Sequence, residues 1–170
     1  MQASAHTNPE QIEALITSLT ALGSVPIPSG TAEGFRPLGA ALETINHRRQ
    51  MLTRTHARIL VLAKTWAAEA IGRKAEHEIK VADLYENDPE VRAAPNRDGR
   101  MARARARAVE EHRSVVLARK EQATWAALLQ VCETVQDNLK IAKESVSRLL
   151  NIAEMELQSS TLGQLGSRRI

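Results

Sequence analysis

The sequence predicts an all-α protein, in which a long antiparallel helical hairpin follows a short N-terminal helix and assembles as a homo-oligomer. Composition supports this fold class, because 43% of the 170 residues are hydrophobic while aromatic residues make up only 2%. The apolar content therefore consists mainly of alanine and aliphatic side chains. Periodicity supports it too, since apolar residues recur at spacings of three and four over two long stretches, as in amphipathic helices.

A short helix is predicted near the N-terminus. Asn8 is suited to cap it, and Pro9 can occupy its first helical position, where a backbone N–H is not needed. Gly23 is predicted to end the helix, and the stretch from Gly23 to Pro37 is a linker rich in proline and glycine. We assign residues 1–37 to this helix and linker. Such a short helix must dock on another part of the chain or on a neighbouring chain.

Two long helices are predicted after the linker, one from Leu38 to about Tyr85 and one from about Arg100 to Leu157. Asn-Asp-Pro and Pro-Asn-Arg-Asp-Gly sequences interrupt the pattern over residues 87–99, which we expect to form the hairpin loop. Residues 38–157 thus form the predicted hairpin domain. The polar segment 158–170 is predicted to be a mobile tail.

The second long helix carries a strict heptad pattern. Nine positions alternate between spacings of three and four: Trp125, Leu128, Cys132, Val135, Leu139, Ala142, Val146, Leu149 and Ala153. This period predicts supercoiling against another helix, from the same hairpin or from a second subunit.

Trp66 and Trp125 both stand in Thr-Trp-Ala-Ala sequences at similar distances from the loop, so we expect them to pack together. Base stacking is the alternative role for the indoles. The core and oligomer seam is predicted to comprise Trp66, Trp125, Leu128, Val135, Leu139, Val146 and Leu149.

Positive charge is concentrated in one region although the formal net charge is only +3. Residues 92–120 contain nine Lys or Arg against three acids, and a second run, residues 47–68, has five Lys or Arg and no acid. Clustered cations attract phosphate, while the alternative is a solvated helix face. The predicted nucleic-acid-binding residues are Arg73, Lys74, Lys80, Arg97, Arg100, Arg103, Arg105, Arg107 and Arg113.

The sequence contains no motif that indicates an enzyme. It has neither a P-loop nor a dinucleotide-binding glycine motif. His77 and His112 lie beside glutamates, but no Glu-x-x-His pair is present, so we interpret both histidines as helix surface and predict no metal and no cofactor. Cys132 lies in the apolar seam and is expected to be a small core residue. A single cysteine, no signal peptide and no membrane span favour a cytoplasmic protein.

The sequence over residues 45–155 resembles the UvsY family of phage recombination mediators, which bind single-stranded DNA and help load a RecA-like recombinase. The first long helix ends in Lys80 and Tyr85, like the basic helix of that family. The second carries a run similar to the family's aromatic-Trp-small-x-Leu-Leu-x-x-Cys pattern, namely Thr124-Trp125-Ala126-Ala127-Leu128-Leu129-Gln130-Val131-Cys132.

This resemblance implies a ring-like homo-oligomer of helical hairpins, with single-stranded DNA bound by basic residues near the hairpin loop. It also implies a RecA-like recombinase as partner, and a host bacterial cytoplasm as location. Lys80 matches the first residue of the family's Lys-x-Arg pair, whereas Ala82 replaces the second, and the run from Arg97 to Arg107 is a candidate substitute. Residues 8–37 lie outside the resemblance.

Two functional hypotheses follow. The first is a non-enzymatic, oligomeric protein that binds single-stranded DNA and mediates recombination or replication. The second is a phage structural or assembly protein, such as a virion, neck or scaffold-like component. In the second case the arginines would form salt bridges with neighbouring acids, and the seams would serve subunit contacts alone.

Overall fold

A computed structural model describes residues 8–30 and 34–166, with side chains through residue 161. The elements are α1 (Pro9–Gly23), α2 (Phe35–Asn87), α3 (Pro89–Arg92), α4 (Arg97–Arg107) and α5 (Val109–Gly166). No strand occurs within the described ranges, so the predicted all-α class is confirmed. No helix in these ranges has the length and apolarity required to cross a lipid bilayer.

The described residues form two compact units. The central unit, Arg58–Leu129, contains the second part of α2, the short helices α3 and α4, and the first part of α5. The terminal unit combines Asn8–Ala57, which includes α1 and the start of α2, with α5 from Gln130 onward. This division falls within the long helices, whereas the sequence pattern placed a boundary at residue 37.

The core of the terminal unit consists of one buried stripe from each of its three helices. Leu19 of α1 is buried, as are alternating third and fourth residues of the two long helices. The α2 residues are Leu38, Ala41, Ile45 and Leu52, and the α5 residues are Cys132, Val135, Leu139, Ala142, Val146 and Ala153. Spacings of three and four on both long helices are typical of knobs-into-holes packing.

The heptad residues predicted on α5 are therefore buried in both units. Trp125 and Leu128 are buried in the central unit, and Val135, Leu139 and Val146 in the terminal unit, while Leu149 is half-buried. Trp66 is half-buried in the central unit. Burial of Trp125 makes its indole unsuitable for base stacking. Its Nε1–H has no hydrogen-bond acceptor among the described atoms.

Helix α1 has a capped N-terminus and a close contact near its C-terminus. The Asn8 side chain accepts a hydrogen bond from the Glu10 N–H at 3.0 Å, as the sequence predicted for this cap. Gly23 remains helical, and a Cβ at this position would lie 3.4 Å from Val135 Cγ1. That distance is an ordinary van der Waals contact, and Gly23 is the last residue of α1, so the helix ends where the sequence predicted.

Arg48 of α2 provides the hydrogen bonds that end α1. Its Nη1 donates to the carbonyl oxygens of Ala21 at 2.9 Å, Leu22 at 3.3 Å and Ser24 at 2.5 Å. These carbonyls lie at the helix C-terminus, where backbone acceptors lack helical partners and a positive charge is favourable. Arg48 thus ties α1 to α2 within the terminal unit.

Replacing Arg48 with alanine is expected to lower the free energy of unfolding by about 1–2 kcal/mol, because three carbonyls at the C-terminus of α1, one of them part-buried, lose a charged donor. The measurement is the urea midpoint followed by circular dichroism. Arg54→Ala is the control, because Arg54 is an exposed cation of the same helix, and its effect should stay within about 0.5 kcal/mol. Equal effects of the two substitutions would contradict the capping role.

The predicted loop at residues 87–99 is largely helical. Asp88 caps α3 by accepting from the N–H groups of Glu90 and Val91, and Asn96 caps α4 by accepting from Gly99 N–H at 2.7 Å. The Asn, Asp and Pro residues taken as loop signals thus start two short helices, because the same residue types favour helix N-termini. The prediction of an open loop here is wrong.

A small apolar cluster lies beneath these short helices in the central unit. Val91, Ala104 and Ala108 are fully buried and pack with Val81, while Leu84, Tyr85 and Met101 pack against the cluster. The second predicted long helix is interrupted at Ala108, between α4 and α5, where ψ is 32°. Ala108 N–H donates to the Ala104 carbonyl at this break, and both alanines are buried in the cluster.

The apolar stripe of α2 in the central unit differs from the predicted one. The helical spacing of apolar residues predicts a stripe over Leu42, Ile45, Leu52, Ile59, Leu62, Trp66 and Ala70 that drifts toward Ile71, Ala75, Ile79, Ala82 and Tyr85. Ile59 and Ala70 are buried as this stripe predicts, and Val81 is buried as well, but Ile71 and Ile79 are 72% and 70% exposed. The helix therefore carries more apolar surface than its intrachain partners cover.

The C-terminal boundary of the last helix also differs. Residues 158–166, predicted as part of a mobile tail, continue α5 to Gly166. Their Ser and Thr hydroxyls donate to carbonyls three or four residues earlier, as Ser159 does to Met155 and Thr161 to Leu157. The remaining predicted tail residues, 167–170, lie outside the described ranges.

Cys132 is buried in the terminal unit, as the seam predicted. Burial raises the pKa of its thiol, and the Glu133 carboxylate acts in the same direction. Because the thiolate is the reactive form, alkylation by iodoacetamide at about pH 8 is expected to be at least about 100-fold slower in the native protein than in urea. Mass spectrometry of timed samples measures both rates. Similar rates would show that this part of the seam is open.

Candidate nucleic-acid interface

All nine predicted nucleic-acid-binding residues lie in the central unit, on α2, α4 and the first turns of α5. The run from Arg103 to Ala108 is helical up to Arg107, so an extended alternation of arginine and alanine does not occur. The structure separates the nine cations into three groups according to what their side chains contact.

The first group is ion-paired along its own helix. Arg73 donates to Glu69 at 2.8 Å and to Glu76 at 3.0 Å, and the hydrogen bond to Glu69 is the main reason why the pKa of Arg73 is raised. Lys74 pairs with Glu78 at 3.6 Å. In α5, Arg113 pairs with Glu110 at 2.6 Å. These carboxylates reduce the positive potential that the cations offer to a phosphate.

The second group holds the short helices together. Arg107 Nε contacts Asp88 Oδ2 at 3.1 Å and its Nη1 contacts the Glu90 carboxylate, so α4 is tied to the start of α3. Arg103 Nη1 donates to the Glu90 carbonyl at 2.8 Å, and Arg100 Nε donates to the Ala94 carbonyl at 3.5 Å. The Asp88 side chain is only 11% exposed, which makes its contact with Arg107 part of the fold.

The third group comprises Lys80, Arg97 and Arg105. No carboxylate of the described residues lies within 4 Å of these three cations. Arg97 and Arg105 are exposed on α4, and Lys80 is half-buried on α2. Of the nine predicted residues, these three keep their charge most available to a ligand.

Arg105 lies at the edge of an open groove of about 690 Å³ within the central unit. The groove is lined by side chains of α2, α4 and α5: His77, Glu78, Val81, Ala82, Met101, Arg105, Ala106 and His112. Half of these are apolar, and the polar ones include a guanidinium, a carboxylate and two imidazoles. Apolar surface next to a guanidinium can accept a planar ring and an attached phosphate at the same time.

The two histidines in this groove form a pair that the sequence analysis missed. The ring centroids of His77 and His112 are 5.4 Å apart, with the rings tilted by 54°. Both residues were interpreted as separate helix surface, although their similar distances from the predicted loop were a signal for contact. Imidazole rings stack with bases, so the pair adds an aromatic surface to the groove.

The structure places no set of metal ligands here. Within the described ranges, no group of three or more His, Cys, Asp or Glu side chains is arranged to hold a metal ion.

Comparison with known proteins gave no match to this chain among family models, curated proteins or solved structures.

Proposed function

We propose that this protein is a non-enzymatic, single-stranded DNA-binding protein that acts as an oligomer in recombination or replication. The observation that carries the proposal is the groove at Arg105, where a guanidinium that forms no ion pair with the described residues adjoins apolar side chains and two imidazole rings. In single-stranded DNA the base faces are exposed, so a base can occupy the apolar floor while its phosphate contacts Arg105.

Single strands fit this groove better than a duplex does. In double-stranded DNA the bases are stacked, and a protein that reads them needs a helix presented to the major groove. The arginines that α4 would use in such a role, Arg103 and Arg107, are instead bonded to Glu90 and Asp88. The site therefore favours binding that depends on phosphate and stacking and shows little sequence preference.

Oligomerisation of a helical hairpin is the second part of the proposal. Val61, Ile71, Ile79 and Ile141 are each at least 60% exposed. Large exposed aliphatic side chains on helices are typical of surfaces that pack against another subunit. A ring-like assembly and a RecA-like recombinase as partner follow from the resemblance to UvsY-type mediators, and they are proposed on that basis.

A structural or assembly role is the second candidate, and one observation favours it. Arg73, Lys74, Arg107 and Arg113 form ion pairs with acids of the same chain, as this hypothesis requires. Under this interpretation the exposed apolar residues mediate subunit contacts, and the grooves bind no nucleic acid.

Fluorescence anisotropy of a labelled oligothymidine and of a duplex of equal length distinguishes the two candidates. We expect the wild-type protein to prefer the single strand and to lose affinity steeply as salt rises. Replacing Arg105 with glutamine is expected to weaken single-strand binding about tenfold, the effect of losing one charged hydrogen bond. Helicity should be unchanged, because Arg105 is exposed and forms no ion pair with the described residues.

Arg92→Gln is the matched control. Arg92 is also an exposed arginine of the short helices, but it lines none of the grooves described. Removing the Arg92 charge should weaken single-strand binding by less than about threefold, because only the overall charge of the protein changes. An intact oligomer that binds neither probe at low salt would reject DNA binding and favour the assembly role.

A further inference from the structure

A second groove, of about 500 Å³, lies between α2 and α5 within the terminal unit. Four cations line it: Arg49 from α2 and Lys140, Lys143 and Arg148 from α5. The sequence analysis assigned none of them to a site, although Arg49 belongs to the acid-free run at residues 47–68. We propose that this groove binds the phosphodiester backbone of single-stranded DNA, an inference that rests on the proposed function and locates a second contact for it.

The cations in this groove are more available to a phosphate than the predicted nucleic-acid-binding cations of the central unit. No carboxylate of the described residues lies within 4 Å of any of its four cations. One carboxylate, Glu144, also lines the groove. The groove therefore presents four cations against one acid, whereas most of the predicted cations in the central unit are bonded within the chain.

The arrangement of the cations follows from the helix. Lys140 lies near the middle of the side of α5 that lines the groove, with Lys143 and Arg148 on its two flanks, about 140° apart around the axis. Lys140 and Arg148 are about 12 Å apart along the axis. Ser147 and Asn151 lie on the same side and add uncharged hydrogen-bonding groups. Lys143 is half-buried in the lining of the groove.

A smaller groove of about 210 Å³ in the same unit adjoins this one at Arg49. Its other lining residues are Leu52, Thr53, His56 and Gln136. Along α5, the distance from Gln136 to Asn151 is about 22 Å. A single phosphate group would contact only part of this length, whereas a chain of phosphates can use all of it.

These side chains support recognition of the phosphodiester backbone of DNA. Lysine and arginine contact phosphates without regard to sequence, and counterion release then makes the affinity fall with salt. The large apolar side chains that would stack with bases are missing from the lining of the larger groove. This groove therefore holds the strand through its phosphates, in contrast to the groove at Arg105.

The test uses the full-length protein and a labelled oligothymidine of about 30 nucleotides, which exceeds the ~4–16 nucleotides of a compact single-strand site. The groove variant replaces Lys140, Lys143 and Arg148 with glutamine. We expect it to lose about tenfold or more in affinity at moderate salt, and its salt slope to fall by about 2, since each phosphate contact contributes about 0.7.

A control variant removes the same charge elsewhere. It replaces Arg36, Lys64 and Arg92 with glutamine; these are exposed cations that line none of the grooves. We expect it to retain affinity within about threefold, with a slope close to that of the wild type. Equal losses in the two variants would overturn the groove assignment and leave only a general effect of charge.

Glu144→Gln tests the groove through an increase in DNA affinity, a result that damage to the fold would not produce. Removing the one acid of the groove is expected to increase affinity for the oligothymidine by about twofold or more, because a negative charge that repels the phosphates is lost.

If Glu144→Gln gives no gain and the groove variant binds like the wild type, the groove assignment is rejected while the proposed function stands. If the wild-type protein itself does not bind the oligothymidine, the proposed function fails first. Equal competition by polyglutamate of matched charge would also overturn the assignment and identify acidic protein as the ligand.

Discussion

Replacing both Leu139 and Val146 with aspartate is expected to unfold the terminal unit. Both side chains are fully buried in the seam of α5. Each substitution removes an apolar side chain from the core and places a carboxylate where water is excluded, so the combined loss is of the order of 5 kcal/mol or more. That loss is comparable to the whole stability of a typical domain. Circular dichroism during thermal unfolding, with light scattering for mass, measures the effect.

The matched control places aspartate at Ile141 and Ile152 of the same helix. Ile141 is 60% exposed and Ile152 is 42% exposed, so the helix should stay folded with aspartate at both positions. If these side chains pack against another subunit, the mass will decrease while helicity is retained. A double variant at Leu139 and Val146 with unchanged helicity would show that the seam has been misassigned.

Replacing Ala104 with glutamate is expected to destabilise the central unit by about 3–5 kcal/mol. Ala104 is fully buried against Val91, Ala108 and Val81, so the cluster has no space for a longer side chain and no water for its charge. Hydrogen exchange measured by mass spectrometry should show lost protection in α3 and α4. Circular dichroism gives the change in overall stability.

Ala102→Glu is the control for this substitution, because Ala102 is an exposed residue of the same helix. Its effect should remain within about 0.5 kcal/mol. If Ala104→Glu were equally mild, the short helices would not form a packed cluster over α2. If exchange in the terminal unit also increased, the two units would unfold together.

Much of the secondary structure could be predicted from local signals. The heptad spacing on α5 identified its buried residues from Trp125 to Ala153, and the Asn8-Pro9 sequence identified the start of α1. Such signals work because the side of a helix that a residue occupies depends on its spacing along that helix alone. On α2 the prediction was confirmed at Ile59 and Ala70, but it was wrong at Ile71 and Ile79, which are as apolar as the buried residues and lie on the exposed side.

The candidate sites could be predicted only in part. The sequence located a surplus of arginine between residues 92 and 120, but it could not show that Arg107 would bond to Asp88 and Arg103 to the Glu90 carbonyl. Those contacts depend on how α4 lies against α3. The cations of the terminal groove were overlooked for the same reason, since Arg49 and Lys140 are far apart in the chain and become neighbours only through packing.

The sequence by itself determined an all-α chain, the cap of α1 and the buried stripe of its longest helix. These features arise from interactions between residues a few positions apart, which a helix places at known angles. Only the tertiary structure decided which cations remain available to a ligand, that the rings of His77 and His112 lie close together, and where the grooves lie. Each of these depends on the register between helices distant in sequence, and that register is set by the packing of whole side-chain surfaces.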